Sequence, residues 1–218
     1  MRIGVLGTGT VGRTLAGALL SRGHEVRLGS RTAGNEAAVA WAQSIGGPAS
    51  EGTFADAAGF GELVFNATAG AASLAALEMA GAELLAGKVL VDVANPLDTS
   101  RGMPPTLTVA NDDSLGEQIQ RRFPEVRVVK ALNTVTAALM VDPALVDGAH
   151  TVFVAGDDAA AKAEVGRLLA SFGWPAGSIM DLGDITAARG TEMYMALWLR
   201  LWGATGTAVL NVEVRTGG

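Results

Sequence analysis

A glycine-rich turn directly after an apolar segment constrains the fold of this chain more than any other feature. Residues 2–6 read Arg-Ile-Gly-Val-Leu, which predicts a short buried strand, and Gly7, Gly9 and Gly12 follow at Gly-x-Gly-x-x-Gly spacing before a helical pattern ends at Gly23. Such glycines permit a tight turn, backbone approach to a pyrophosphate, and close helix–strand packing. The alternative is ordinary turn glycines in a chain with 29 glycines. We predict a dinucleotide-binding βαβ start with cofactor-binding residues Gly7, Thr8, Gly9, Thr10, Val11 and Gly12.

The end of the second predicted strand, residues 25–29, indicates which dinucleotide is bound. NAD-binding proteins usually carry Asp or Glu there, to accept the ribose 2′-hydroxyl, whereas this chain has Ser30 and Arg31. Both side chains can donate to a 2′-phosphate, and charge-assisted bonds of this kind contribute roughly 1.5–3 kcal/mol each. One or two such bonds would favour NADP over NAD by about ten- to thousandfold in affinity. The alternative is that Arg31 is a solvated loop cation. The pattern favours NADP.

Strand and helix patterns alternate along the rest of the chain. The predicted strands are 2–6, 25–29, 63–66, 89–93, 126–131, 151–155 and 179–182, and the predicted helices are 11–22, 35–45, 73–85, 114–123, 157–172 and 185–210. This order is typical of a Rossmann-type α/β fold, a doubly wound parallel sheet, here with a C-terminal helical appendage. We expect an NADP-binding domain over 1–182 and an appendage over 183–218, with a loop over 97–112 and no assigned element over 49–62.

The last predicted helix contains an apolar stretch, 193–210, interrupted by Arg200. A charge near the centre of a membrane span costs at least about 2.5–3.5 kcal/mol, which favours a buried or subunit-interface helix over a tail anchor. A helix that is apolar on every side must be buried, so we expect a homodimer. Trp198 and Trp202 offer a wall for an acceptor site, although we favour core or dimer packing as the use of these side chains.

Composition excludes several classes of function. The net charge is −6 and no basic stripe is present, which argues against a nucleic-acid partner. The absence of cysteine excludes disulfides, thiolate zinc sites and thiol redox chemistry. We therefore expect a cytoplasmic protein with no membrane association, no metal site and a small-molecule or cofactor partner.

Three asparagines stand at predicted strand ends, after apolar runs: Asn66, Asn95 and Asn133. Ligands of open parallel sheets bind outside the carboxyl ends of the strands, where an amide can fix a carboxamide or a flavin-like ring edge. Each asparagine could instead serve a turn or cap a helix. Their shared position favours a binding site.

Four segments together resemble one known family: Gly7–Gly12, Gly29–Arg31, Asn95–Leu97 and Lys130–Thr134. They are similar to the deazaflavin-dependent NADP reductases (coenzyme F420:NADP oxidoreductases), and also to the cytosolic reductase domain of the six-transmembrane epithelial antigen metalloreductases, over about residues 1–200. The resemblance implies that Thr8, Ser30 and Arg31 hold the 2′-phosphate. Archaeal members add a lysine near the position of Asn35, so one cation is missing here. The nicotinamide would lie beside Asn66, Thr68, Asn95, Pro96, Asn133, Thr134 and Ala137.

The resemblance implies hydride transfer between NADP(H) and a deazaflavin (coenzyme F420) or a flavin. The cofactor supplies that chemistry and the protein supplies position, so we predict no side-chain acid or base. His24 and His150 are expected at the surface, and Lys130 is expected to be packed or paired. A small imine or carbonyl reductase and a non-enzymatic NADPH sensor remain alternatives, because a fold does not assign a function.

Overall fold

A central β-sheet organises the computed structural model, which describes residues 1–217. Its strands are short and apolar, as a sheet buried on both faces requires. In chain order the strands are β1 (Arg2–Leu6), β2 (Glu25–Ser30), β3 (Ala49–Thr53), β4 (Leu63–Asn66), β5 (Val89–Asp92), β6 (Leu97–Asp98), β7 (Thr106–Leu107), β8 (Arg127–Ala131), β9 (Val152–Ala155) and β10 (Ile179–Asp181).

The order of the strands across the sheet is β10-β9-β8-β5-β4-β1-β2-β3, while β6 and β7 form a separate antiparallel pair. This is the predicted Rossmann-type architecture. Neighbouring strands run parallel, apart from β8 and β9, which pair antiparallel through Lys130↔Ala155 and Ala131↔Val154. The prediction of a parallel sheet is therefore wrong for β9 and β10, which run against the other strands of the sheet. The loop predicted over 97–112 contains the β6–β7 pair.

Helices cover both faces of the sheet. They are α1 (Thr10–Ser21), α2 (Glu36–Ile45), α3 (Phe54–Phe60), α4 (Gly70–Ala80), α5 (Ala82–Leu85), α6 (Leu115–Arg122), α7 (Ala137–Val141), α8 (Ala159–Ser171) and α9 (Ala188–Thr205), with 3₁₀ turns at Pro143–Leu145, Ala176–Ser178 and Ile185–Ala187. Successive strand residues point to opposite faces, so Val5 joins the core under α1 and α8 while Leu6 joins the core under α3 and α4.

Strand β3 and helix α3 were not predicted from the sequence. Strand β3 reads Ala-Ser-Glu-Gly-Thr and lies at the edge of the sheet, so it lacks the apolar alternation of a half-buried strand. Helix α3 begins with a capping box, in which Thr53 and Asp56 each satisfy the other's backbone N–H. That pair was the available sequence signal for this helix.

The C-terminal segment differs from the predicted single helix over 185–210. A 3₁₀ turn precedes α9, and Gly206, in the left-handed conformation with φ 72°, ends it after Thr205. The chain then returns to the sheet, where the Val212 carbonyl accepts a bond from the Thr151 N–H at 2.8 Å. Helix α9 buries one face in its own chain and exposes Leu197 on the other. None of the helices in the described part of the chain combines the length and hydropathy of a bilayer-spanning segment.

The prediction that His150 lies at the surface is also wrong. Its ring is buried edge-on against Trp174, with the two ring centroids 5.0 Å apart, and its Nε2 lies 3.0 Å from the Pro143 carbonyl. Asn211, on the returning C-terminal segment, approaches its Nδ1 at 2.9 Å. His150 thus helps to join the last residues to the sheet. His24 is half-buried beside the N-terminus.

Candidate active site

The glycine-rich turn has the geometry that its spacing predicts. Gly7 adopts a φ of +116° and donates its N–H to the Gly29 carbonyl at 2.9 Å, which ties the turn to β2. A Cβ atom on Gly12 would lie 2.0 Å from the Gly7 carbonyl oxygen, so α1 can approach the turn only because residue 12 is glycine. By contrast, no atom of residues 1–217 would lie within 4 Å of a Cβ atom on Gly9, apart from its immediate chain neighbours. Gly9 therefore borders open space where a ligand can lie.

The N-terminus of α1 faces the same space. Gly9 is its N-cap, and no side chain described here caps its first N–H groups, which leaves them available to an anion. Arg13, one turn into the helix, donates from its guanidinium to the Thr8 carbonyl at 2.5 Å and so braces the loop. Sequence reasoning did not single out Arg13, because one arginine on an amphipathic helix carries no motif.

A cavity of about 540 Å³ opens beside the loop at the ends of β1 and β2. Its lining includes the predicted phosphate-binding residues Gly7, Thr8, Gly9, Ser30, Arg31 and Asn35. The Arg31 side chain is exposed, whereas Ser30 is buried and donates its hydroxyl to the Thr32 carbonyl at 2.6 Å. Asn35 caps α2 by accepting a bond from Ala38 N–H at 3.2 Å. Arg31 therefore provides the charge in this cavity, and Ser30 and Asn35 shape its rim.

A second cavity of about 590 Å³ continues from the first toward the ends of β5 and β8. The two cavities share Ala67, Thr68 and Ala69, so they form one groove across the carboxyl edge of the sheet. This second cavity brings together the predicted residues Thr10, Val11, Thr68, Asn95, Asn133 and Ala137. Met195 and Trp198 of α9 also line this cavity, and Met195 was not predicted as a site residue.

The strand-end asparagines are not equivalent in the structure. Asn95 and Asn133 line the second cavity and bind each other, through Asn95 Nδ2 to the Asn133 carbonyl at 2.7 Å and Asn133 Nδ2 to Asn95 Oδ1 at 2.9 Å. Asn66 is fully buried behind the wall of the groove. Pro96 and Thr134 are also buried, and the Thr134 hydroxyl has no hydrogen-bond partner among the atoms of residues 1–217.

A buried ionic cluster lies directly behind this wall. Lys130 Nζ contacts Asp92 Oδ2 at 2.9 Å and Glu192 Oε1 at 2.8 Å, and the three side chains are at most 1% exposed. Burial alone would lower the pKa of Lys130, but the two carboxylates outweigh it and raise that pKa, so the lysine stays charged. Lys130 was expected to be packed or paired, and it is both. Asp92 and Glu192 were missed because single acids in apolar segments carry no spacing signal.

Comparisons with known proteins agree with this geometry. The family model for coenzyme F420-dependent NADP oxidoreductases matches residues 2–96. A crystal structure from Arthrobacter sp. FB24, named as a candidate F420-dependent NADP-reductase, is 57% identical over 99% of this chain and 100% of that one, with a TM-score of 0.93. The chain belongs to the coenzyme F420-dependent NADP oxidoreductase family. The expected family resemblance is therefore confirmed, and the chain is an NADP-dependent oxidoreductase.

More distant relatives place this oxidoreductase family in a wider fold group. The rat metalloreductase STEAP3 is 32% identical over 92% of this chain, which spans 38% of the length of that protein. An imine reductase from Streptomyces aurantiacus is 22% identical, with a TM-score of 0.63 over 94% of this chain and 63% of its own. At that identity the likeness shows the fold alone.

Proposed function

We propose that this oxidoreductase transfers hydride between NADPH and either a deazaflavin (coenzyme F420) or a flavin. The observation that supports this most directly is the single groove with two chemically different ends. One end carries Arg31 and the glycine loop, and the other carries Asn95, Asn133 and apolar side chains. Such a groove suits an extended dinucleotide with its phosphates at one end and its reactive ring at the other.

The proposed NADPH pose follows from the side chains that line each part of the groove. Arg31, with Thr8 and Ser30 beside it, would receive the 2′-phosphate, and the N-terminus of α1 at Gly9 would receive the pyrophosphate. Phe54, Met79 and the alanines of α4 give the first cavity an apolar wall against which an adenine can pack. The nicotinamide would then lie beside Thr68, Asn95, Asn133 and Ala137.

The acceptor would stack on the nicotinamide in the second cavity. The described residues that line this cavity are uncharged, and Met195 and Trp198 close it from α9. Reduction of a carbonyl or imine normally uses a proton donor, whereas hydride transfer between two rings needs position and exclusion of water. The lining therefore favours a flat ring acceptor. In this proposal residues 1–182 bind NADP and the segment from 183 onward supplies the acceptor wall.

An acceptor screen tests this function. Purified protein is mixed with NADPH and, in separate reactions, coenzyme F420, FMN or a cyclic imine, and the nicotinamide absorbance is followed. We expect turnover with F420 or FMN and none with the imine. Turnover with the imine alone would favour the imine-reductase alternative, and NADPH binding without turnover of any acceptor would favour a sensor.

The cofactor preference is tested at Arg31. Removing its charge in Arg31→Ala should weaken NADPH binding by about tenfold, the value of one charge-assisted bond, and leave NADH binding nearly unchanged. Titration calorimetry measures both affinities. Arg167→Ala, which removes one exposed cation from α8, is the matched control and should change neither. Equal affinities for NADPH and NADH in the unmutated protein would contradict the assignment.

A further inference from the structure

A continuous series of buried polar contacts runs behind the groove, across the ends of β4, β5 and β8. Asn66 Nδ2 donates to Asp92 Oδ1 at 2.8 Å, Asp92 Oδ2 pairs with Lys130 at 2.9 Å, and Lys130 pairs with Glu192 of α9 at 2.8 Å. Asn66, Asp92, Lys130 and Glu192 are each at most 1% exposed. We call these four residues the buried relay.

Both walls of the second cavity are bonded to the buried relay. On one wall, Asn66 Oδ1 accepts a bond from the Thr68 hydroxyl at 2.6 Å. The backbone of Ala94 is held twice, its N–H by Asp92 at 3.2 Å and its carbonyl by Lys130 at 2.5 Å. Thr68 and Ala94 both line the cavity.

On the α9 side of the cavity, Glu192 lies one helical turn before the lining residue Met195. Its two carboxylate oxygens also accept bonds from the N–H groups of Leu115 and Gly116, at 2.8 and 3.0 Å, where α6 begins. Glu192 thereby fixes α9 at the N-terminus of α6, which favours a negative charge. Its position determines where Met195 and Trp198 meet the cavity.

Stability alone does not explain such a cluster. A well-packed apolar replacement for a buried ion pair is often as stable, because the attraction between the charges barely offsets their loss of water. Directed charge-assisted bonds do what apolar packing does not, since they define distances and orientations between the groups that they join. The relay joins three strand ends to a helix whose residues Met195 and Trp198 also line the cavity.

We propose that Asn66, Asp92, Lys130 and Glu192 are positioning residues that set the width of the second cavity and thereby hold the nicotinamide ring in place. This inference rests on the proposed NADPH pose. None of the four needs to touch the ring, because Thr68, Ala94 and α9 transmit their positions to the cavity wall.

The test compares two ligands that differ only at the nicotinamide: NADPH and 2′-phospho-ADP-ribose, which keeps the adenine, 2′-phosphate and pyrophosphate. Calorimetry gives both affinities, and the fluorescence lifetime of bound NADPH reports how firmly the ring is held. In Glu192→Gln, NADPH should bind about fivefold more weakly, the effect of about one neutral hydrogen bond, with a shorter lifetime. The affinity for 2′-phospho-ADP-ribose should change by less than about twofold, within the usual effect of a distant substitution.

A matched control separates positioning from general loosening of α9. Arg189→Gln removes a different contact between α9 and α6, the ion pair of Arg189 with Glu117, whose carboxylate lies outside the relay. It should lower the thermal unfolding temperature and leave the ratio of the two affinities unchanged. Asn66→Leu, at the opposite end of the relay from Glu192, should reproduce the selective loss of NADPH affinity and keeps the test valid if Glu192→Gln does not fold.

Three results would overturn the inference. The first is an unchanged ratio of the affinities for NADPH and 2′-phospho-ADP-ribose in folded Glu192→Gln or Asn66→Leu. This result would overturn the inference but leave the NADPH pose intact. The same ratio change in Arg189→Gln would show that the cluster only anchors the helix. An unmutated protein that binds neither ligand would refute the cofactor site itself, and the inference with it.

Discussion

The three glycines of the phosphate loop have different surroundings and therefore different duties. The fold requires glycine at positions 7 and 12. A Cβ at Gly7 would lie 2.5 Å from the Ala67 carbonyl oxygen, and a Cβ at Gly12 would lie 2.0 Å from the Gly7 carbonyl oxygen. Gly9 has an ordinary φ of −73° and open space beside it. Its lack of a side chain is needed only if something else approaches the backbone there.

Gly9→Val should therefore separate binding from folding. The valine side chain would occupy the place proposed for the pyrophosphate, so NADPH affinity should fall by more than about a hundredfold, while stability should change by no more than about 1 kcal/mol. Gly12→Val should instead unfold or strongly destabilise the protein. Calorimetry and thermal unfolding measure the two effects. Near-normal NADPH binding by folded Gly9→Val would show that the loop does not hold the cofactor.

An asparagine at a predicted strand end indicates where the residue lies in the sheet more reliably than it indicates what its side chain binds. The sequence places Asn66, Asn95 and Asn133 alike, and the structure does put all three at the carboxyl edge of the sheet. Two of them face the groove, whereas Asn66 turns inward to Asp92 and Ser73. The direction depends on which buried partner the neighbouring strand supplies, and that pairing is not visible before the strand order is known.

At the scale of elements, apolar periodicity and capping residues predicted those helix and strand positions that local interactions determine. The N-cap of α6 is Ser114, at the predicted start of that helix, and the N-cap of α8 is Asp158, one residue after its predicted start. These side chains accept bonds from the first free N–H groups of the helices. The direction of β9 was not predictable in this way. It depends on the connection after β8, where the described chain forms only the short α7 and a 3₁₀ turn instead of a long crossover helix.

An acid-sensitive ion pair joins Asp113, just before α6, to Arg121 in the last turn of that helix. Arg121 binds Asp113 through two bonds of 2.9 Å and, as the largest cause, lowers the pKa of Asp113 from 3.8 to about 2. A depressed carboxyl pKa stabilises the fold above pH 3.8, and that contribution is lost as the pH falls towards about 2. Because the arginine is largely exposed, we expect the contribution to be about 1 kcal/mol.

Asp113→Asn tests this contact. At neutral pH the variant should lose about 1 kcal/mol of unfolding free energy, and the difference from the unmutated protein should disappear as the pH approaches 2. Urea unfolding at a series of pH values measures the difference. Asp112→Asn, which changes an exposed neighbouring acid, is the matched control. A deficit that is the same at every pH would mean that the ion pair is not its origin.

At the scale of the whole molecule, the groove lies where the sheet and α9 meet, and one side of α9 is left uncovered. The expectation of a helix that is apolar on every side was too strong, since α9 carries the buried Glu192 and the exposed Arg200. Its outer side nevertheless exposes Leu197 by 54% and Trp202 by 38%, and Met103 lies 68% exposed in the loop beside the helix. Met103 and Trp202 line one surface cavity, and we call these two residues the α9 patch.

We propose that a second copy of the chain covers the α9 patch. Trp202 contacts Trp198, with ring centroids 5.7 Å apart, so a partner seated on the patch would lie next to the wall of the acceptor cavity. A two-fold contact brings the same patch from both chains together, which buries the apolar side chains of each. Dimer formation would therefore rigidify Trp198 at both cavities.

Light scattering at micromolar concentration should give twice the 22.1 kDa mass of one chain. Trp202→Arg should reduce that mass to one chain, because it places a charge in the centre of the apolar contact. Leu145→Arg, at an exposed leucine on the 3₁₀ turn after α7, is the matched control and should remain dimeric. Since Trp202 supports Trp198, the monomeric variant should also show a raised KM for the acceptor with unchanged NADPH affinity. A mass of 22.1 kDa for the unmutated protein would refute the dimer, and with it the support that Trp198 receives across the interface.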